Sequence, residues 1–397
     1  MLGGYRGIAI AAVMAACSAV VPVRPAGGGD KGDVGSSQWV LAYYVGYEIN
    51  SYPVTEIEWT ALTHIAFAPM TVKTDLTLDL GFNDSNGTGP EDAVALATAA
   101  HAHGVVPLLM LGGTDAGTTI ASAATASNRA AFVAHLLSAL DTLGFDGIDL
   151  DWEDHVNLDD FVALARELRA ARPTIVLTYP AHTINANVDG VDPRMASLAE
   201  SLDRFFVQTY FPSTAVVGSG WSSWFTAPLS GSAPTTPVAA DDSLERYAAA
   251  GIPTRKLGLG AGFFAICYTG NVTGPRQPTT STMQIVGGNN NYPLSALFAS
   301  DGTYARAGSA ERRRDEIAQE PYLSLATAQQ DPHCGASTRY ISYEDELSLL
   351  AKGDFSRTHG YGGIIIWTLA QGYLAANSAD GRPRDAMMHA LQQAFLE

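Results

Sequence analysis

Residues 145–153 read Phe145-Asp146-Gly147-Ile148-Asp149-Leu150-Asp151-Trp152-Glu153. Acidic and apolar side chains alternate with the period of a β-strand. Asp149, Asp151 and Glu153 therefore share one face, and Ile148, Leu150 and Trp152 share the other. The apolar face is suited to packing outward against helices, which a surface acidic loop would not do. In a closed parallel barrel, the acidic face points into the lumen and climbs toward the C-terminal rim, where barrel active sites form. Asp146 has the opposite parity and suits a brace at the strand or its entry turn.

Outward from this segment, seven further apolar runs recur along the chain: Trp39–Gly46, Ala61–Met70, Val105–Gly113, Thr174–Pro180, Phe205–Tyr210, Leu257–Phe263 and Gly362–Leu369. Helical patterns lie between most of them. Phe132, Leu136 and Leu140 fall on one face of 128–143, and Phe161, Leu164 and Leu168 on one face of 158–171. Eight strands alternating with helices predict an α/β fold, a (β/α)8 TIM barrel. Residues 268–338 are too long for one bare loop. They predict an insertion subdomain between strands seven and eight, and the catalytic barrel is expected to span 38–397.

Three carboxylates stacked on one inward face resist full ionisation, because burial and mutual repulsion both penalise charge. At least one proton is expected to stay among them, as a general acid requires. Glu153 is outermost and is the natural proton donor. A calcium loop is disfavoured, since that pattern needs a glycine at its sixth position and a distant Glu. No His/Cys spacing suggests zinc. No cofactor is expected.

The chain has 397 residues, 47% of them hydrophobic and 16% charged, with a formal net charge of −17. This is the composition of a large core, and the acidic balance argues against a nucleic-acid partner. Arg6 followed by the apolar run 7–23 reads as a secretory signal over 1–23. Met14-Ala15-Ala16-Cys17 is similar to a lipoprotein cleavage box. Either a lipid anchor at Cys17 or ordinary cleavage follows, with 24–37 as a flexible linker. An extracytoplasmic monomer is expected, touching a membrane only through such an anchor. Cys267 and Cys334 then remain as a pair. Export favours a disulfide between them, the alternative being two buried thiols.

The run from Asp146 to Glu153 resembles the Asp-x-x-Asp-x-Asp-x-Glu signature of glycoside hydrolase family 18, the chitinases and their relatives. Leu111-Gly112-Gly113, Lys256 to Gly260 and Gly362 to Trp367 resemble that family's third, seventh and eighth strands, and the chain reads as an exported bacterial member. The resemblance implies Glu153 as acid/base, Asp151 as the residue orienting the substrate acetamido group, Asp149 as its proton-sharing neighbour and Tyr210 as a donor to the acetamido carbonyl. It implies Trp367 under the sugar at the cleavage point, with Tyr43 beside it, and Gln208, which is not the family's usual residue there, is also assigned to the substrate. Trp221, in the loop after strand six, and Asp146 complete the residues assigned to the substrate. Trp224 and Phe225 fit either a cleft extension or a hydrophobic anchor.

The implied reaction is retaining, substrate-assisted hydrolysis of β-1,4-N-acetylglucosamine linkages in chitin or chito-oligosaccharides. Rival readings are an endo-β-N-acetylglucosaminidase acting on glycoprotein or cell-wall glycans, and a non-catalytic chitin-binding lectin. Met110, Gln208, Phe211, Asp154-His155 and Ala370-Gln371-Gly372 depart from the family pattern.

Overall fold

Each apolar run becomes a strand, and the alternation within it decides which side chains enter the barrel. The computed structural model describes residues 38–397 except 185–189, 211–220, 281–282, 289–290, 375–377 and 379. The expected signal over 1–23, which contains Cys17, the expected linker over 24–37, and Phe211 lie outside the described residues. The strands are β1 (Trp39–Val45), β2 (His64–Val72), β3 (Val106–Gly112), β4 (Gly147–Asp151), β5 (Val176–His182), β6 (Arg204–Gln208), β7 (Leu257–Gly262) and β8 (Gly363–Trp367). Each pairs in parallel with the next, and β8 pairs with β1, which closes the barrel. β4 is shorter than the run 145–153, so Glu153 stands beyond the strand end, on the rim.

Parity divides the core into two layers. Leu41, Tyr43, Leu108, Met110, Phe206 and Ile365 fill the barrel. Their neighbours Tyr44, Leu109, Leu111, Ile148, Leu150 and Trp152 pack outward under the helices. Those helices are α1 (Gly89–Ala102), α2 (Gly117–Ala123), α3 (Arg129–Leu143), α4 (Leu158–Ala171), α5 (Arg194–Ser201), α6 (Ala240–Ala249), α7 (Glu346–His359) and α8 (Ala386–Phe395). α4 shows why the sequence forms them. Asn157 caps it by accepting from the Asp159 and Asp160 amides, and these two acids sit at the positive end of the helix dipole. Phe161, Leu164 and Leu168 are its buried face.

Between β7 and β8 the chain builds a five-stranded antiparallel sheet, in the order Ile285–Gly287, Ile266–Tyr268, Gly335–Ser342, Glu320–Asp331, Arg312–Asp315. The sheet reaches past the expected limits of 268–338 at both ends, because its interior strands are the first and last segments of the excursion. Cys267 and Cys334 are disulfide-bonded, with Cα atoms 5.7 Å apart. Cys334 sits at the turn joining the two long strands, so the bond pins that turn to the strand holding Cys267.

A buried ion cluster ties this sheet to the barrel. Lys352 on α7 lies 2.7 Å from Glu344 and 3.4 Å from Glu320, and all three side chains are fully buried. Glu320 also accepts from the Ala227 amide at 2.9 Å, which fastens the loop after β6. Removing the only cation of such a cluster strands two buried acids. Lys352→Met is expected to lower the unfolding free energy by about 3–5 kcal/mol in urea titrations at neutral pH. Arg166→Met, which breaks the exposed Arg166–Glu200 pair, should cost no more than about 1 kcal/mol.

Candidate active site

β4 delivers the acids. Asp149 lies in register with Met110 on β3 and Thr178 on β5, and Asp151 lies in register with Gly112. Both carboxylates sit inside the barrel and are essentially unexposed, at 0% and 3%. Asp149 accepts from the Tyr43 hydroxyl at 2.8 Å and from the Thr178 hydroxyl. Oδ1 of Asp151 is buried without a hydrogen-bond partner among the described residues. Glu153, half-buried, accepts from Thr114 Oγ1 at 2.9 Å on Oε2 and from Gln208 Nε2 at 3.0 Å on Oε1.

Burial raises the carboxyl of Asp149 to about 6, against the opposing hydrogen bonds from Thr178 and Tyr43. Asp151 is pushed well above the usual carboxylate range, first by burial and then by the charges of Glu153 and Asp149. Burial, reinforced by the acids, also drives the Tyr43 and Tyr210 phenols well above their ordinary value. They remain neutral donors. Both acids therefore hold their protons to higher pH than the same residues would in water.

Above the acids opens a cleft of about 450 Å³ lined by Asp151, Glu153, Gln208, Tyr210 and Trp367, together with Tyr47, Met110, Thr114, His182 and Phe264. The Tyr43 and Trp367 rings meet at 5.0 Å beneath it. Among the described residues, no group of three or more His, Cys, Asp or Glu is placed to hold a metal ion.

Of the side chains singled out from the sequence, Glu153, Asp151, Asp149, Tyr210, Trp367, Tyr43 and Gln208 converge here. Gln208 lines the cleft and also turns its amide toward Glu153. Asp146 does not reach the cleft. It precedes β4, at the opposite end of the barrel, half-exposed and 2.9 Å from His101. Trp221 is not among the cleft-lining residues either. Its carbonyl accepts from Thr279 at 2.5 Å, and Ser222 bridges Pro278, so the loop turns into the insertion. Trp224 and Phe225 are fully buried against Ala239 and Ala318, as an anchor.

Two departures from the family pattern find local partners. Asp154 accepts from the Gly117 amide at 2.8 Å, at the start of α2. Where the segment after Trp367 lacks an acid, Glu48 arrives from the β1 loop and accepts from Thr368 at 2.5 Å. Residues not foreseen are Thr114, Phe264, Tyr47 and Thr178. Thr178 was legible, since it alternates inward with Pro180 on β5. The others follow strand ends, where alternation no longer applies.

The raised Asp149 carboxyl has a stability signature. Between the ordinary value of 3.8 and about 6, the folded chain holds a proton that the unfolded chain has lost. Stability from this group is therefore complete at low pH and declines as pH rises to about 6. Relative to Asp149→Asn, the wild-type unfolding free energy is expected to fall across that window and then level off. Urea unfolding of both proteins at a series of pH values measures it, and parallel curves would count against the buried proton.

The sequence matches the family described as Glycosyl hydrolases family 18 over residues 40–372. A probable endochitinase of Caenorhabditis elegans is 28% identical over 291 residues, covering 66% of this chain but only 43% of that protein's length. A class V chitinase of Arabidopsis thaliana is 25% identical over 353 residues, covering 83% of this chain and 86% of the relative. In structure, a Group IV chitinase of Ostrinia furnacalis superposes with a TM-score of 0.72 at 18% identity, over 91% of this chain and 100% of that one. The acidic strand, the closed barrel and the extent of the family match agree, and the chain belongs to glycosyl hydrolase family 18.

Proposed function

We propose that this glycoside hydrolase cuts β-1,4 linkages between N-acetylglucosamine units, in chitin or chito-oligosaccharides, with retention and with help from the substrate. The observation that carries the reading is the set of three acids. Two are buried and proton-rich, and the third stands on the rim of the cleft with both oxygens hydrogen-bonded. Glu153 protonates the leaving oxygen while the substrate's own acetamido oxygen attacks the anomeric carbon. This is the route that family 18 uses in place of a second enzymic nucleophile.

Asp151 supports this route because it lines the cleft and its Oδ1 has no partner among the described residues, so that a turn of the carboxyl can present an acceptor to the acetamido N–H. That contact orients the nucleophile and steadies the positive charge of the cyclic intermediate. Tyr210, kept neutral by burial, donates to the acetamido oxygen. Asp149 shares a proton with Asp151 and is itself steadied by Tyr43 and Thr178. Trp367 offers an indole face to the sugar ring. Water then loses a proton to Glu153 and opens the intermediate. An exported enzyme fits a polymeric substrate, and the Cys267–Cys334 bond is of the kind that persists in oxidising compartments.

The test is release of a fluorescent aglycone from chitobioside and chitotrioside substrates. Wild type should turn over, Glu153→Gln should lose about a hundredfold or more in kcat, and the matching cellobioside should not be cut. Cleavage of the cellobioside at a comparable rate would sink the substrate-assisted reading.

A further inference from the structure

We propose that Thr114 is a positioning residue for the acid/base: its hydroxyl, opposed by Gln208 on the other oxygen, keeps the catalytic proton of Glu153 on Oε2. The inference rests on the hydrolase reading above. Gln208 and Thr114 each take one oxygen of Glu153, but they are different kinds of partner. The Gln208 amide nitrogen can only donate, so a proton on Oε1 would face an N–H head-on. The Thr114 hydroxyl donates to a carboxylate or, by rotating, accepts from a carboxylic acid. Both protonation states of Glu153 therefore fit the site only when the proton resides on Oε2.

The backbone around Thr114 is built for this contact. Gly112, Gly113 and Asp115 have φ of 120°, 93° and 68°, so Thr114 sits inside a turn of left-handed residues. For Asp115, which is not glycine, that conformation is held against its intrinsic preference. A side chain at Gly112 would place its Cβ 2.1 Å from the Asp151 carbonyl oxygen. On either side of Thr114 the turn is fastened to the catalytic segment: the Gly113 amide donates to the Asp151 carbonyl and the Gly117 amide to the Asp154 carboxylate, both at 2.8 Å. The β-branched Thr114 side chain is stiff at χ1. Local strain held by such contacts is characteristic of functional positions.

In the first step the Oε2–H bond breaks and the proton passes to the leaving oxygen, which keeps the electron pair of its bond to C1. The acetamido oxygen forms the new bond to C1. Glu153 becomes anionic, and Thr114 turns its O–H toward Oε2 as the charge appears. In the second step water gives a proton to Oε2 and its oxygen to C1, the acetamido–C1 bond breaks, and Thr114 turns back.

Leaving-group dependence tests this, because a sugar alkoxide needs the proton and a dinitrophenolate does not. Full-length wild type, Thr114→Val and Thr114→Ser would be compared on a chito-oligosaccharide and on dinitrophenyl chitobioside, with Glu153→Gln as the reference. On the oligosaccharide, Thr114→Val should lose about tenfold to a hundredfold in kcat at a KM within about twofold of wild type. Its loss on the dinitrophenyl substrate should be several times smaller, and Thr114→Ser should recover most of the rate. If the Val variant does not fold, Thr114→Ala against Thr114→Ser makes the same comparison.

Equal losses on both substrates, or a raised KM with kcat kept, would overturn the inference in favour of a plain structural or sugar-contact role. Full activity in Thr114→Val beside an inactive Glu153→Gln would overturn it too, while leaving the hydrolase reading intact. No wild-type turnover on either substrate would remove both.

Discussion

Asp149 and Asp151 occupy positions where a closed barrel ordinarily stacks hydrocarbon. An unpaired carboxylate there is strongly disfavoured, and among the described residues no Lys or Arg lines the cleft beside these two. Neutralisation falls instead to protons and hydrogen-bond donors. Tyr43 and Thr178 reach Asp149 from β1 and β5, the strands carrying them being fixed by the barrel closure. Burial and the charges of Glu153 and Asp149 raise the Asp151 carboxyl well above the usual carboxylate range. Glu153, on the rim above them, meets the Thr114 hydroxyl and the Gln208 amide.

The insertion between β7 and β8 serves the same site indirectly. Phe264, Ile266, Tyr268 and Tyr340 form an apolar cluster against which Tyr210 and Trp367 pack. The Tyr268 hydroxyl accepts from the Trp224 amide and the Tyr340 hydroxyl donates to the Trp224 carbonyl, both at 2.9 Å, so the loop after β6 is part of the same assembly. Of the two readings open for Trp224 and Phe225, the structure shows the anchor. The insertion thus gives Tyr210 and Trp367 a rigid apolar backing at the edge of the cleft.

Much of this was legible in order of sequence. A two-residue alternation assigns every side chain of β4 to the lumen or the helix layer, and the same rule separates Tyr43 from Tyr44 and Met110 from Leu109. It stops at strand ends. Asp146 shares a motif with Asp149, Asp151 and Glu153 yet lies beside His101, as a brace at the strand entry, because a strand carries its first and last residues to opposite ends of a barrel. Trp221 shares a loop with the cleft yet turns toward Thr279. Thr114 carries no sequence signal beyond following two glycines, and its importance depends on a turn that only the contact with β4 defines.

Sequence alone determined the barrel, the inward acids and the order of the strands, since these follow from the period of the backbone and the hydrophobicity of each residue. Tertiary structure decided which donors meet Glu153, where the insertion anchors and which acids keep their protons. Those properties depend on distances between groups far apart in the chain, such as the Gln208 amide and the Glu153 carboxylate at 3.0 Å, which no local pattern encodes.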